Sequence, residues 1–228
     1  TNSTLEYIPG SVDPATGRGD TRLGGVAFDR EGQLWVSNYG ASRPISCRKA
    51  DGSWESYSLG AFTEIIDMVV DNSGNKWVRS RSGGVVALNR DNTQFKNVST
   101  PEGSGGLPSP IVNCMALDKQ GALWIGTNEG PAVFFNPNVV FTRDRFDAQQ
   151  IKIQQEQFVG FLLGNEVITA MAIDGADRKW FGTTNGVWLF SADGTQQIHH
   201  FTRENSPLLS NIITSLAIHP QTGEVFIG

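Results

Sequence analysis

Three histidines are the residues of this 228-residue sequence that are best suited to acid–base chemistry. His199 and His200 are adjacent on a predicted strand, so their side chains point to opposite faces and do not share a metal or a proton relay. His219 occupies a turn position that aspartate holds in the repeats described below, which indicates a structural role. The sequence contains no zinc-ligand spacing, Ser-His-Asp order, phosphate-cradling glycine loop or EF-type calcium loop. We therefore predict a protein that is not an enzyme and that has neither a metal site nor a cofactor.

A second group of residues is suited to ligand binding. Tyr39, Arg79 and Arg81 fall in predicted turns, although none of them favours the positive φ that such turns often require. An arginine pair beside a tyrosine fits an anionic or sugar ligand, through bidentate hydrogen bonds and ring stacking. Asparagine and threonine at the equivalent turns also serve ordinary turn geometry, and both interpretations stay open for them. The predicted ligand-binding residues are Tyr39, Arg79, Arg81, Asn128, Glu129 and Asn185.

The charge and hydropathy of the chain exclude some classes of partner. Its formal net charge is −5, and a mildly acidic chain lacks the basic face that a nucleic-acid backbone needs. The longest apolar run, residues 158–164, is too short to cross a bilayer, so we predict no membrane span in this chain. The first residues lack the basic start and apolar stretch of a signal peptide. By itself the sequence leaves two alternatives, a cytoplasmic protein or one whose leader has been removed.

The two cysteines form no metal-binding or redox motif. Cys47 and Cys114 lie in different repeats, which favours two small buried thiols. A bridge between them is the alternative.

The elements that must position all these residues come from an internal repeat. Five segments align, at residues 23–36, 65–78, 112–125, 168–181 and 213–227. Consecutive tryptophans in the first four are 42, 47 and 56 residues apart, and Phe226 follows 46 residues later. Such a period without helical patterning is typical of the four-stranded blades of a β-propeller. In the first four segments an aspartate precedes the tryptophan by six positions: Asp29 and Trp35, Asp71 and Trp77, Asp118 and Trp124, Asp174 and Trp180.

Each part of the repeat has a physical interpretation. The apolar run before the aspartate fits a strand that is buried on both faces. The aspartate is predicted to cap a tight turn, with Gly32, Gly74 and Gly121 supplying positive φ. The tryptophan begins the second strand and is predicted to pack its large apolar surface against the neighbouring blade.

The repeat predicts an all-β fold, with about five consecutive four-stranded blades in a single β-propeller domain fragment over residues 1–228. The blade cores are expected near residues 23–59, 65–98, 111–157, 167–201 and 212–228. Between residues 136 and 166 the spacing stretches, and the alternating segment 150–154 is predicted to be a strand followed by a loop, extending the outer strand or leaving it at the rim. Both ends fall inside a blade, so we expect the chain to be part of a larger, seven-bladed propeller, because an open edge would expose unpaired strand backbone.

The repeats carry a resemblance to known families. The pattern from Leu107 to Gly130 resembles the two-component regulator propeller repeat, and residues 168–190 match it too. Residues 167–183 and 198–211 look like the propeller region of PorZ-type proteins, surface components of the type IX secretion machinery of Bacteroidetes. That resemblance implies a non-catalytic scaffold in an exported protein, in the periplasm or on the outer cell surface. Its implied partners are anionic lipopolysaccharide, another anionic glycan, or a protein.

Two other functions stay open at this point. The same repeats form the sensing portion of hybrid histidine kinases in gut Bacteroidetes, which implies a periplasmic polysaccharide sensor. Streptogramin lyases are related-looking propellers that use His and Glu near the axis, and His200 with Glu204 is the pair that such a lyase would need here.

Overall fold

The computed structural model describes residues 5–8, 10–81, 83–155 and 158–228, and the side chains of residues 154–159 are left out of the description. The described residues form antiparallel β-sheets and one short helix, which confirms the all-β prediction. The chain divides into two compact units, residues 1–98 with 138–144 and residues 99–137 with 145–228. None of its described helices has the length and hydropathy of a membrane span.

The first unit contains two four-stranded sheets, each with its strands in chain order. A short helix, α1 (Val139–Thr142), also belongs to this unit. The strands of the first sheet are β1 (Leu23–Phe28), β2 (Leu34–Asn38), β3 (Ile45–Arg48) and β4 (Trp54–Tyr57). Those of the second sheet are β5 (Ile65–Val70), β6 (Lys76–Ser80), β7 (Val85–Leu88) and β8 (Phe95–Val98). Both sheets are meanders of the kind predicted for propeller blades.

The second unit begins with an irregular blade. Its strands are β9 (Ser104–Gly105), β10 (Val112–Leu117), β11 (Leu123–Thr127), β12 (Gly130–Phe134), β13 (Phe146–Asp147), β14 (Lys152–Gln155) and β15 (Phe158–Phe161). β10, β11 and β12 form a three-stranded sheet, and an isolated bridge joins Val133 of β12 to Gln149. β14 pairs with β15 in a separate hairpin, so this segment leaves the outer edge of its blade instead of extending it. β9 and β13 form a short parallel pair.

The rest of the second unit returns to the regular pattern. One four-stranded sheet consists of β16 (Ile168–Ile173), β17 (Lys179–Thr183), β18 (Gly186–Phe190) and β19 (Gln197–Phe201). A last antiparallel pair consists of β20 (Leu216–Ile218) and β21 (Val225–Ile227).

The aspartate of each repeat bonds to the tryptophan that gives the repeat its period. One carboxylate oxygen accepts the backbone N–H four residues on, and the other accepts the indole N–H six residues on. In the first blade these distances are 2.8 Å from Gln33 N and 2.8 Å from Trp35 Nε1 to Asp29. The indole bonds of the next three repeats are 2.9, 2.9 and 3.1 Å long, to Asp71, Asp118 and Asp174. The six-residue spacing therefore reflects a bidentate cap that joins the turn to the second strand.

The tryptophans lie in the cores of the units. Trp35 packs among Ile45, Ile65, Met68 and Val78, which come from both sheets of the first unit. Trp124 packs among residues of β16, β17 and β18, including Phe181 and Phe190. Trp77 and Trp124 are 0% and 1% exposed. Packing of a tryptophan against the next blade, as predicted, is seen for Trp35 and Trp124.

The inner strands share one irregularity. In the four complete repeats the pairing of the first strand with the second shifts near the start of the first strand, at Leu23/Val26, Ile65/Asp67, Val112/Cys114 and Ile168/Ala170. A bulge at this point re-aims the side chain that follows it. In the second blade that residue is Asp67, which matters for the site below.

Candidate functional site

The structure brings the three predicted ligand-binding residues of the first unit to the same end of their strands. Tyr39 directly follows β2, and Arg81 directly follows β6. Arg81 is exposed, and its Nη1 donates a 3.5 Å hydrogen bond to the hydroxyl of the half-buried Tyr39. The pair presents a guanidinium and a phenol ring side by side at the surface. This is the arrangement that an anionic or sugar ligand would need.

Arg79 has a different environment from Arg81. It lies within β6, not in the turn, and its side chain is 21% exposed. Its Nε lies 3.9 Å from a carboxylate oxygen of Asp67, the residue at the bulge of β5. Burial raises the pKa of Asp67, and the nearby Arg79 charge opposes that rise. Arg79 is therefore partly committed to this ion pair, and its role in ligand binding stays a prediction.

The predicted residues of the second unit belong to two equivalent turns. In each turn a threonine hydroxyl donates to a glycine carbonyl, Thr127 to Gly130 and Thr183 to Gly186. The same hydroxyls accept the backbone N–H of Glu129 and Asn185. These bonds satisfy the polar groups of the turn locally, which is the ordinary turn geometry considered for these positions.

The side chains of Asn128, Glu129 and Asn185 have different environments. Asn128 accepts a 2.9 Å bond from Asn113 Nδ2. Asn185 donates through Nδ2 to both carboxylate oxygens of Glu166, at 2.9 and 3.2 Å. The side chain of Glu129 is exposed. The ligand-binding role of these three residues also stays a prediction; Glu129 and Asn185 are exposed and Asn128 is half-buried.

Each histidine contacts a neighbouring group of its own sheet or turn. His200 stacks on Trp188 with ring centroids 3.5 Å apart, and its Nε2 lies 2.8 Å from the carbonyl oxygen of Asn185. His199 lies on the other face of β19, 5.4 Å from Phe201. His219 accepts the backbone N–H of Thr222 at Nδ1, as the turn aspartates do elsewhere. Within the described residues no group of three His, Cys, Asp or Glu is placed to hold a metal ion.

Both cysteines are free thiols. Cys47 is buried and Cys114 is partly buried, and they belong to different units. The bridge is not formed, and the prediction of a buried thiol is confirmed for Cys47, whereas Cys114 is only partly buried. Burial raises the pKa of Cys47, with a further rise from the nearby Asp29.

Sequence reasoning missed two buried lysines that lie directly before a repeat tryptophan. Lys76 is 2% exposed, and its ammonium lies 4.0 Å from the ring centroid of Trp35 in the preceding blade. Lys179 is 1% exposed, 5.3 Å from the ring of Trp124. The other two repeats have leucine here, Leu34 and Leu123. The sequence signal that could have revealed them is a lysine at the first position of the second strand, where the other repeats have an apolar residue.

Lys76 carries a testable pH dependence. Burial lowers the pKa of its ammonium to about 8, against about 10.4 in an unfolded chain. Between these values the unfolded state binds more protons, so the Lys76 contribution to the free energy of unfolding rises as the pH goes from about 8 to about 10.4. We expect the difference in unfolding free energy between wild type and Lys76→Leu to increase over that range. Urea titrations at several pH values measure it, and a pH-independent difference would contradict the lowered pKa.

Comparison with known proteins agrees with this architecture. Residues 106–129 match the family model described as a two component regulator propeller. The chain is similar to PorZ, described as an essential bacterial surface component of the type-IX secretion system of Porphyromonas gingivalis, with 26% identity and a TM-score of 0.79. That likeness covers 98% of this chain and 32% of PorZ. The chain has the β-propeller fold.

Two more distant propellers show the fold alone. An extracellular domain assigned to a hybrid two component system, BT4673 of B. thetaiotaomicron, has 19% identity and a TM-score of 0.61, covering 95% of this chain and 27% of that one. XC5397 of Xanthomonas campestris, a gluconolactonase, has 16% identity and a TM-score of 0.55, covering 90% of this chain and 68% of that one. The chain thus spans about a third of PorZ and about a quarter of BT4673. A search of curated proteins finds no match.

Proposed function

We propose that this propeller is a non-catalytic recognition module of an exported protein, working in type IX secretion as PorZ does. The observation that carries the proposal is the 26% identity to PorZ, which extends over 98% of the chain. PorZ is described as a bacterial surface component, which favours a position in the periplasm or on the outer cell surface for this protein too.

The proposed ligand is an anionic glycan, such as the polysaccharide of an anionic lipopolysaccharide, and the proposed contact is the Tyr39–Arg81 pair. Arg81 is exposed and its hydrogen bond is to a neutral hydroxyl, so its positive charge is available to an anionic group. Tyr39 adds a ring face for a sugar. Arg79 is not part of this pair, because its Nε lies 3.9 Å from the Asp67 carboxylate in an ion pair.

Replacing Arg81 by Ala is expected to weaken binding of anionic lipopolysaccharide from Porphyromonas gingivalis about tenfold, because one charge-assisted hydrogen bond to the ligand is lost. Replacing Arg79 and Arg81 together is expected to weaken it further. Biolayer interferometry with the immobilised lipopolysaccharide measures the affinities. Arg30→Ala is the matched control, since Arg30 is an exposed arginine in the β1–β2 turn, at the opposite end of the strands. An Arg81→Ala affinity equal to that of wild type would refute this contact.

A periplasmic polysaccharide sensor is the second candidate, and the family-model match over residues 106–129 favours it. The discriminating observation is the sequence that follows Gly228 in the gene. A membrane span followed by kinase motifs would support the sensor, whereas a second propeller would support the secretion component. A propeller lyase is a more remote candidate, and screening against lactone and uronate substrates tests it.

A further inference from the structure

A polar pocket of about 430 Å³ opens in the first unit, and it contains none of the residues proposed above to bind a glycan. Residues of both sheets line it, including Asp29, Trp35 and Tyr57 from the first blade and Gly74, Lys76 and Asn92 from the second. Lys76 lies at its wall with its ammonium over the Trp35 ring. The pocket therefore lies at the contact between the buried ammonium of Lys76 and the preceding blade.

The second unit has a buried lysine at the same position, but with carboxylates beside its ammonium. Lys179 corresponds to Lys76, and its Nζ lies 3.2 Å from Asp118 and 3.2 Å from Asp177. Asp118 is the turn aspartate of the preceding blade, and Asp177 stands two residues before the lysine. Two carboxylates thus surround the buried ammonium of Lys179.

The first unit lacks both of these carboxylates beside its lysine. The residue two positions before Lys76 is Gly74, which has no side chain to offer. Asp29 corresponds to Asp118, but no carboxylate in the described part of the chain lies within 4.0 Å of Lys76 Nζ in an ion pair. Instead Lys76 donates to two neutral acceptors, the Arg90 carbonyl at 2.8 Å and Asn92 Oδ1 at 2.7 Å. Gly74 and Asp29, which correspond to Asp177 and Asp118, both line the pocket.

The other charged groups of the pocket already have partners. Lys49 lies 2.6 Å from Glu55, and Arg90 lies 3.2 Å from Glu31. The third carboxylate of the pocket, Asp29, accepts the Gln33 backbone N–H and the Trp35 indole N–H, at 2.8 Å each. A buried ammonium whose hydrogen-bond partners are neutral is costly. Burial lowers the pKa of Lys76, although the charges of Asp29 and Asp71 oppose that shift. An anionic group entering the pocket would remove that cost.

From this comparison we propose that the pocket binds a small hydroxylated carboxylic acid, of the size of a hexuronic acid, with its carboxylate beside Lys76. The carboxylate takes the place that the Asp177 side chain takes beside Lys179. Glu55, Asn92 and Gln33 line the pocket as acceptors and donors for hydroxyl groups. Trp35 and Tyr57, whose rings stack 5.9 Å apart, supply the apolar wall that such a ligand needs.

The chain itself supplies the variants that test the proposal. Gly74→Asp copies Asp177 and places a carboxylate in the pocket. Gly74 has φ +85°, close to the +63° that Asp177 adopts, and the nearest atoms to an added Cβ belong to the flexible Arg90 side chain, at 3.1 Å. Lys76→Leu copies Leu34 and Leu123 and removes the cation. Both changes therefore use residues that other repeats of this chain accept at the same position.

The binding assay is a titration of the ¹⁵N-labelled 228-residue chain with D-glucuronate, read at the indole N–H of Trp35. We expect a saturable shift with a Kd in the millimolar range, while the Trp124 indole, in the other unit, stays unchanged and reports intact folding. Gly74→Asp and Lys76→Leu are expected to raise the Kd at least about tenfold. Methyl α-glucoside, which has no carboxylate, is expected to cause no saturable shift.

Three outcomes would overturn the proposal: no saturable shift in the wild type, unchanged affinity in Gly74→Asp, or a response to acetate as strong as the response to glucuronate. The last outcome would mean that any carboxylate suffices and that the hydroxyl contacts are wrong. Arg81→Ala separates this site from the proposed glycan contact at Tyr39. It is expected to leave glucuronate binding at Trp35 unchanged, whether or not it weakens binding of lipopolysaccharide.

Discussion

Replacing Trp124 by Ala is expected to lower the free energy of unfolding by about 4 kcal/mol, the range found when a buried aromatic side chain is truncated. Trp124 is 1% exposed, packs 6.1 Å from Phe181, and bonds to Asp118 through its indole. Truncation opens a cavity between two blades of the second unit. It also removes one hydrogen bond from a carboxylate that is 6% exposed. Urea unfolding followed by far-UV circular dichroism measures the loss.

Trp124→Phe separates the packing of the ring from its hydrogen bond. Phenylalanine keeps most of the apolar surface but cannot donate to Asp118, so we expect a loss of about 1.5 kcal/mol. Although burial opposes its charged form, bonds from Trp124 and Ala122 together with the Lys179 charge keep the pKa of Asp118 below its usual range. A Trp124→Ala loss no larger than that of Trp124→Phe would mean that the ring does not hold the blades together.

The repeat made the fold predictable from the sequence. The aspartate stands six residues before the tryptophan because its carboxylate makes two hydrogen bonds. One oxygen accepts a backbone N–H of the turn, and the other accepts the indole N–H. Such a constraint acts within one hairpin and is visible in the sequence. The hairpin of β14 and β15 was only partly foreseen, because the partner of residues 152–155 is the apolar segment 158–161. Tertiary contacts decide which strand a segment pairs with, and the alternation of polar and apolar residues within the segment does not predict them.

The candidate site was harder to predict than the fold. Arg79 and Arg81 are equivalent by type, but Arg79 lies within β6 opposite Asp67 of β5, whereas Arg81 follows the end of β6 and is exposed. Lys76 and Lys179 were missed for another reason. The alignment of repeats emphasises what the blades share, whereas these lysines and Asp177 are departures from the shared pattern. Whether such a lysine is neutralised depends on the side chains of the preceding blade that lie opposite it.

Lys179→Leu is expected to lower the free energy of unfolding by about 4 kcal/mol, because it leaves the carboxylates of Asp118 and Asp177 without their cation. Lys179 Nζ lies 3.2 Å from each of them, and Asp177 is 8% exposed. Asp177 also accepts the backbone N–H of Lys119 at 3.0 Å, which fixes its carboxylate in this position. Urea unfolding of the variant measures the loss.

The double variant Asp177→Gly with Lys179→Leu is expected to recover most of this stability, to within about 1 kcal/mol of wild type, since a buried ion pair replaced by apolar groups is often neutral. It gives the fourth repeat the glycine and leucine that the first repeat has at Gly32 and Leu34, and the third at Gly121 and Leu123. Glycine also suits the positive φ of position 177, which is +63°. Lys76→Leu is the matched control, because Gly74 already stands two residues before it and, among the described residues, no carboxylate forms an ion pair with Lys76 within 4.0 Å. A double variant as unstable as Lys179→Leu alone would show that the lysine acts by packing on Trp124 and not by neutralising the two aspartates.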